Sequence, residues 1–163
     1  MPRLKELDLS GSSKTSDADL SCIARAWPEL RVLKLNRCYR TTAEGLQSTA
    51  EGLRQLEVLE AGGTDCNGVA VHHICRNLAA TLRRLSVAKC PLFTDGCAGT
   101  VATMLTNLQS LDVSKCAQLS NDALLSFSQL NLQHLDVSAT AITNDTLVQL
   151  KNALPECNVV YEA

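Results

Sequence analysis

The sequence predicts an α/β solenoid: a curved parallel sheet on the concave side, helices on the convex side, and about six copies of one strand–helix unit. Two observations carry this. A short pattern, L-x-x-L-x-L, returns at a nearly constant interval along the 163 residues, and each copy is followed by apolar residues at three- and four-residue spacing. A strand of one face plus a helix cannot bury its apolar side alone, so the units must stack on one another.

The pattern stands at Leu4-Leu7-Leu9, Leu30-Leu33-Leu35, Leu56-Leu59-Ala61, Leu82-Leu85-Val87, Leu108-Leu111-Val113 and Leu132-Leu135-Val137. The starts at 4, 30, 56, 82, 108 and 132 are separated by steps of 26, 26, 26, 26 and 24 residues. Alternation at the start of each unit marks a short strand with one buried side. Helical spacing follows: Leu20, Ile23 and Trp27; Leu46, Ala50 and Leu53; Val69, Ile74 and Leu78; Val101 and Leu105; Leu124, Phe127 and Leu130; Leu147, Leu150 and Leu154. Ser16-Asp17, Thr94-Asp95, Asn121-Asp122 and Asn144-Asp145 supply N-caps or first-turn acids. Pro155 ends the last helix, and Asn158-Val159-Val160-Tyr161 takes the place of a closing strand. The chain is expected to form a single domain over residues 1–163.

Composition narrows the function classes. Hydrophobic residues are 45% and aromatics only 3%, so an aliphatic core is expected. With 15 basic and 17 acidic residues the net charge is −2, which gives no global field for nucleic acid or an anionic membrane. No apolar run approaches the roughly 18 residues of a membrane span. The N-terminal stretch, MPRLKELDLS, lacks the apolar core of a signal peptide, which predicts an intracellular, cytoplasmic chain.

The eight cysteines follow the repeat rather than a disulfide framework. The ninth position of each unit reads Ser12, Cys38, Thr64, Cys90, Cys116 and Thr140, always a small side chain with an O–H or S–H. Here the chain leaves the strand and buries backbone carbonyls, which a column of small donors can satisfy. Cys22, Cys75 and Cys97 fall in helical stretches and Cys157 beside the closing strand, so reduced thiols are expected throughout.

These units resemble the cysteine-containing leucine-rich repeats of F-box/leucine-rich-repeat proteins and related adaptors, ribonuclease-inhibitor-like in architecture. The resemblance rests on LRRLSVAKCPLFTDGC (82–97), LQSLDVSKCAQLSNDAL (108–124) and LQHLDVSATAITNDTL (132–147). It implies a right-handed solenoid and a protein-recognition role, in F-box relatives within a ubiquitin ligase. Only Met1-Pro2-Arg3 stand before the first unit, so no F-box is expected within these 163 residues. An N-terminal extension, a partner or a second copy is expected to cover the first repeat, since an end unit otherwise exposes apolar surface and a strand edge.

Candidate chemistry is thin. His72 and Cys75, with Cys66 upstream, would give three zinc ligands, but no C-x-x-C pair or fourth ligand accompanies them. Gly62-Gly63 opens no phosphate loop and fits a tight turn or a bare patch of concave floor. His134 and Asp136 suggest a dyad without a nucleophile. The expectation is therefore a non-enzymatic protein with no cofactor and no metal.

If positions 1, 4 and 6 point inward, positions 3, 5 and 7 face the concave solvent side. Position 3 reads Glu6, Val32, Val58, Arg84, Ser110 and His134; position 5 reads Asp8, Lys34, Glu60, Ser86, Asp112 and Asp136. Position 7 holds Ser10, Asn36, Gly62, Ala88, Ser114 and Ser138, and position 8 holds Gly11, Arg37, Gly63, Lys89, Lys115 and Ala139. The expected partner-binding residues are Lys34, Arg37, Tyr39, Arg40, Glu60, Arg84, Lys89, Asp112, Lys115, His134 and Asp136. They suit a charge-complementary protein partner, with arginine and an aromatic as anchors. The predicted function is a protein-interaction scaffold that recognises a substrate or partner. The alternative is an architectural subunit or fragment of a large cytoskeletal or mitochondrial complex.

Overall fold

A computed structural model describes residues 3–163; Met1 and Pro2, on which part of the N-terminal expectation falls, lie outside the described residues. Seven strands, β1 (Glu6–Asp8), β2 (Val32–Lys34), β3 (Val58–Glu60), β4 (Arg84–Ser86), β5 (Ser110–Asp112), β6 (His134–Asp136) and β7 (Asn158–Val160), form one parallel sheet in chain order. Between them run α1 (Asp17–Ala26), α2 (Ala43–Gly52), α3 (Gly68–Leu78), α4 (Asp95–Met104), α5 (Asn121–Ser126) and α6 (Asn144–Ala153). The register sets position 4 of each unit against position 4 of the next, Leu7 beside Leu33, then Leu59, Leu85, Leu111, Leu135 and finally Val159. The repeat thus converts directly into columns that run along the solenoid.

The inward columns make the core. Leu30, Leu33, Leu35, Leu56, Leu59, Leu82, Leu111 and Leu135 are fully buried, and each contributes about 1.5–3 kcal/mol relative to exposure. Leu4, Leu7 and Leu9 are only half-buried against the same core. The 24-residue step has a local cause: α5 spans six residues and finishes in a turn of 3-10 helix at Phe127–Gln129. That tighter helix rises more per residue and covers the missing length.

The caps are Ser16, Thr42, Asn67, Thr94, Ser120 and Thr143. In the last two units the cap falls one residue before Asn121 and Asn144, leaving Asp122 and Asp145 as first-turn acids. Val69 departs from its expected inward place and is 55% exposed, while Ala70 and Val71 are buried. The residue before every cap is buried: Thr15, Thr41, Cys66, Phe93, Leu119 and Ile142. This column seats each helix on the core where the chain enters it. Coils are also linked at their helix starts. Asp17 accepts from the Thr42 N–H at 2.8 Å, Asp95 from the Ser120 N–H at 2.8 Å and Asn121 from the Thr143 N–H at 2.9 Å.

The ninth-position column divides into two kinds of bond. Cys38, Cys90 and Cys116 donate to the Leu9, Ala61 and Val87 carbonyls of the preceding unit at 3.1, 3.2 and 3.1 Å. Thr64 and Thr140 instead donate within their own unit, to Ala61 and Val137, both at 2.6 Å. The longer C–S bond lets a thiol reach across to the preceding coil, whereas a hydroxyl closes its own turn. Ser12 acts as an acceptor, taking bonds from the Thr15 N–H and hydroxyl at 3.2 and 2.8 Å.

Candidate protein-binding face

The outward columns line an open groove of about 890 Å³ on the concave side, centred on β3 to β6. Of the expected residues it gathers Arg37, Glu60, Arg84, Lys89, Asp112 and His134. Lys34 stands one strand away and pairs with Glu6 at 3.8 Å. Tyr39 (68% exposed) and Arg40 sit on the turn beside β2, with the Tyr39 ring against Gly63. Lys115 and Asp136 lie just beyond the groove wall, on the turn after β5 and at the end of β6.

The groove also takes in Arg83, Gln109 and Gln133, at position 2 of their units. Strict alternation would turn these inward. Each strand, however, is three residues long and begins at position 3, so the pleat does not hold position 2. Asn36 is a further contributor: its amide donates to Glu60 at 2.7 Å while its carbonyl accepts from the Gly62 N–H at 3.0 Å. A Cβ at Gly62 would lie 2.8 Å from that carbonyl oxygen and 3.1 Å from the Ala88 carbonyl, so glycine is what admits the bridge.

Position 8 is left-handed in every unit. Gly11 and Gly63 have φ of 80° and 75°, and Arg37, Lys89, Lys115 and Ala139 have 61°, 59°, 61° and 51°. Each N–H here bonds to the position-7 carbonyl of the next coil, as Arg37 does to Gly62 at 2.8 Å and Lys89 to Ser114 at 2.9 Å. The geometry belongs to the coil, and L-residues adopt it at a cost of about 1–2 kcal/mol. The basic rim is therefore built from three side chains held in a conformation that glycine adopts more readily.

The acids of position 5 are fixed by local bonds. Asp112 and Asp136 each accept from the backbone N–H two residues on, Ser114 and Ser138, at 2.9 Å. Asp8 does the same with Ser10 at 2.9 Å. Hydrogen bonds from Ser10, backbone first and then side chain, hold the Asp8 carboxyl below its ordinary range, with Lys34 helping. His134 Nδ1 lies 3.3 Å from the Asn158 amide nitrogen, so its partner is on β7 rather than the neighbouring Asp136.

Within the core, burial pushes the Cys75 and Cys116 thiols up to about 12 and also raises Cys66 and Cys90. Thiols so placed are neutral packing groups and donors rather than nucleophiles. Cys66 and Cys75 are buried whereas His72 is exposed, so those three do not converge, and among the described residues no group of three or more His, Cys, Asp or Glu could hold a metal ion. No helix among the described residues is long and apolar enough to cross a membrane.

This sheet, ladder and register define a leucine-rich-repeat solenoid. No family model matches the chain. It is 28% identical over 129 residues to the Candida glabrata protein called antagonist of mitotic exit network protein 1, covering 76% of this chain and 25% of that one. It is 30% identical over 83 residues to putative F-box/LRR-repeat protein 9 of Arabidopsis thaliana, covering 48% of this chain and 34% of that one. The chain therefore spans about a quarter and a third of the length of these curated relatives. Among solved structures it is similar to a chain of the yeast Rad7 and Elc1 complex, with TM-score 0.71 and 16% identity over 89% of this chain and 39% of that one. A leucine-rich-repeat protein of Leptospira interrogans gives TM-score 0.58 and 18% identity over 96% of this chain and 37% of that one.

Proposed function

We propose that the chain is a non-enzymatic protein-binding repeat domain that holds a partner protein on its concave face, and that it serves as the recognition part of a ubiquitin-ligase-type adaptor. The observation that carries the binding reading is the rim of Arg37, Lys89 and Lys115. These cations stand in a strained backbone conformation beside the groove, and none forms an ion pair among the described residues. Strain kept at one edge of a groove is what a recognition surface retains against stability. The adaptor reading is supported by the match to a protein named F-box/LRR-repeat and by similarity to a chain in a complex of two proteins.

The test is capture of a partner by the wild-type chain, followed by the same capture with Arg37→Glu, Lys89→Glu and Lys115→Glu combined. Partner retention should fall while the melting temperature stays nearly unchanged, because exposed substitutions shift stability by no more than about 0.5 kcal/mol. A partner retained equally by this variant and by changes at Glu60, Arg84 and Asp112 would show that the concave face is not the site. We further propose that an N-terminal extension, a partner or a second copy covers the half-buried Leu4, Leu7 and Leu9 at the β1 edge, the second copy being the case that the isolated chain can test. Light scattering should then show self-association that Leu7→Glu removes; a monodisperse monomer at high concentration would refute it.

A further inference from the structure

Charge is arranged differently in the two halves of the molecule. All five ion pairs among the described residues lie within residues 3–73: Arg3 and Lys5 with Glu29, Arg31 with Glu57, Lys34 with Glu6, and His73 with Glu51. Position 5 alternates in this half, Asp8, Lys34, Glu60, so neighbouring strands neutralise one another. From β4 onward the concave charges form no ion pair among the described residues and are grouped by sign. Arg83 and Arg84 stand together at one edge on β4, Asp112 and Asp136 lie side by side as register partners on the floor at β5 and β6, and Lys89 and Lys115 follow one another on the other edge in the coils of β4 and β5. The carboxylates are met only by neutral donors, the Ser114 and Ser138 N–H groups and the Ser86 hydroxyl.

We propose that this half of the face holds an α-helix of a partner protein whose facing side carries a Lys/Arg stripe flanked on both sides by Asp/Glu. The inference rests on the concave-face reading and specifies its occupant. Base, acid, base on the receptor is complemented by acid, base, acid on the ligand, and any uniform polyanion or polycation meets a like-charged stripe.

The dimensions favour a helix. Positions 3 and 5 are about 7 Å apart along a strand, and position 8 stands beyond them on the turn, so a helix about 10–12 Å across can lie over the floor between the two edges. Strands are spaced by about 4.8 Å and helical turns by about 5.4 Å, so successive turns meet successive coils. The strand amides and carbonyls are used between neighbouring strands, so the face offers side chains only. A helix satisfies its own backbone there, whereas an extended segment laid over the sheet would leave N–H and C=O groups unpaired.

Two stapled helical peptides of identical composition test this. One carries a central lysine stripe with glutamate on both flanks; the other exchanges the two residue types. Fluorescence anisotropy at low salt should show the first binding at least about tenfold more tightly, with hydrogen-exchange protection on β4 to β6. Asp112→Lys with Asp136→Lys should invert the preference. Asp112→Asn with Asp136→Asn, which keeps an acceptor for the Ser114 and Ser138 N–H groups, should abolish it without disturbing the fold. Equal affinities, the opposite preference, no detectable binding of either peptide, or a preference that survives both pairs of substitutions would overturn the proposal. Protection at β4 to β6 with the wrong preference defeats only the occupant's chemistry. Protection confined to α1–α6 defeats the concave-face reading as well.

Discussion

Replacing Arg37, Lys89 and Lys115 by glycine should stabilise the protein while weakening its hold on a partner. The three residues have φ of 61°, 59° and 61° at the position where Gly11 and Gly63 stand in other units. A left-handed L-residue is disfavoured by about 1–2 kcal/mol, and glycine gives back about 0.5–1 kcal/mol through its freer unfolded chain. The net gain is therefore of order 0.5–1 kcal/mol per site. Arg37 and Lys89 lie two coils apart, about 10 Å, so their effects should add. The triple variant should gain about 2 kcal/mol, roughly 4–8 °C for a chain of this size. Alanine at the same positions is the control, because it removes the charge and leaves the backbone strained. Urea titration of both triple variants measures the stability difference, and anisotropy with the glutamate-flanked peptide measures binding. Glycine variants no more stable than alanine variants would refute the strain argument. A stability gain with undiminished binding would show that the cations are not held for a partner.

Three further outcomes are expected. In the native protein a thiol reagent should modify exposed Cys22 at once and half-buried Cys157 slowly, with the buried six reacting only on unfolding; fast labelling of Cys66 or Cys90 would contradict the packing. Cys75 and Cys116 ionise near 12 when folded and near 9.0 when unfolded, so their contribution is complete below pH 9 and is lost as pH rises from 9 towards 12. By pH 10 the two together should lose about 3 kcal/mol, an alkaline slope that Cys75→Ala with Cys116→Ser should flatten in urea titrations at pH 8 and 10. Finally, Cys90→Ser should be better tolerated than Cys90→Leu, since the Ala61 carbonyl needs a small donor; leucine overpacks a fully buried site and costs about 1–3 kcal/mol beyond the lost bond. Equal unfolding midpoints for the two variants would remove the ladder role.

The columns were legible because the 26-residue step acts directly as strand register, and Leu7, Leu33 and Leu59 become neighbours simply by stacking. The donor role of the ninth position was legible from the shared chemistry of Ser, Thr and Cys. Its division was not, because reaching the preceding coil depends on bond length, which residue type alone does not translate into a partner. The left-handed turn had a signal in the sequence, the two glycines at position 8, hidden by the four other residues that tolerate the same φ. Arg83, Gln109 and Gln133 escaped because alternation was extended to a position that the strands do not reach. Val69 is not the inward residue because it stands five residues before Ile74, off the helical spacing; Val71, four residues after the Asn67 cap as Leu20 is after Ser16 and Leu46 after Thr42, takes the buried place.

Two features of the concave face run against what the coil alone would select. Turn geometry would place glycine at every position 8, as at Gly11 and Gly63, yet Lys89 and Lys115 stand there. Cross-strand electrostatics would alternate sign along position 5, as from Asp8 through Lys34 to Glu60, yet Asp112 and Asp136 are adjacent like charges. The first departure concerns backbone strain and the second side-chain repulsion, so neither is a consequence of the other. The like-charged pair stands on β5 and β6, whereas L-residues occupy position 8 in the units that begin at Leu30, Leu82, Leu108 and Leu132. On the reading proposed above, a bound partner would relieve the repulsion and use the rim cations, and that is the condition under which both penalties become worth keeping.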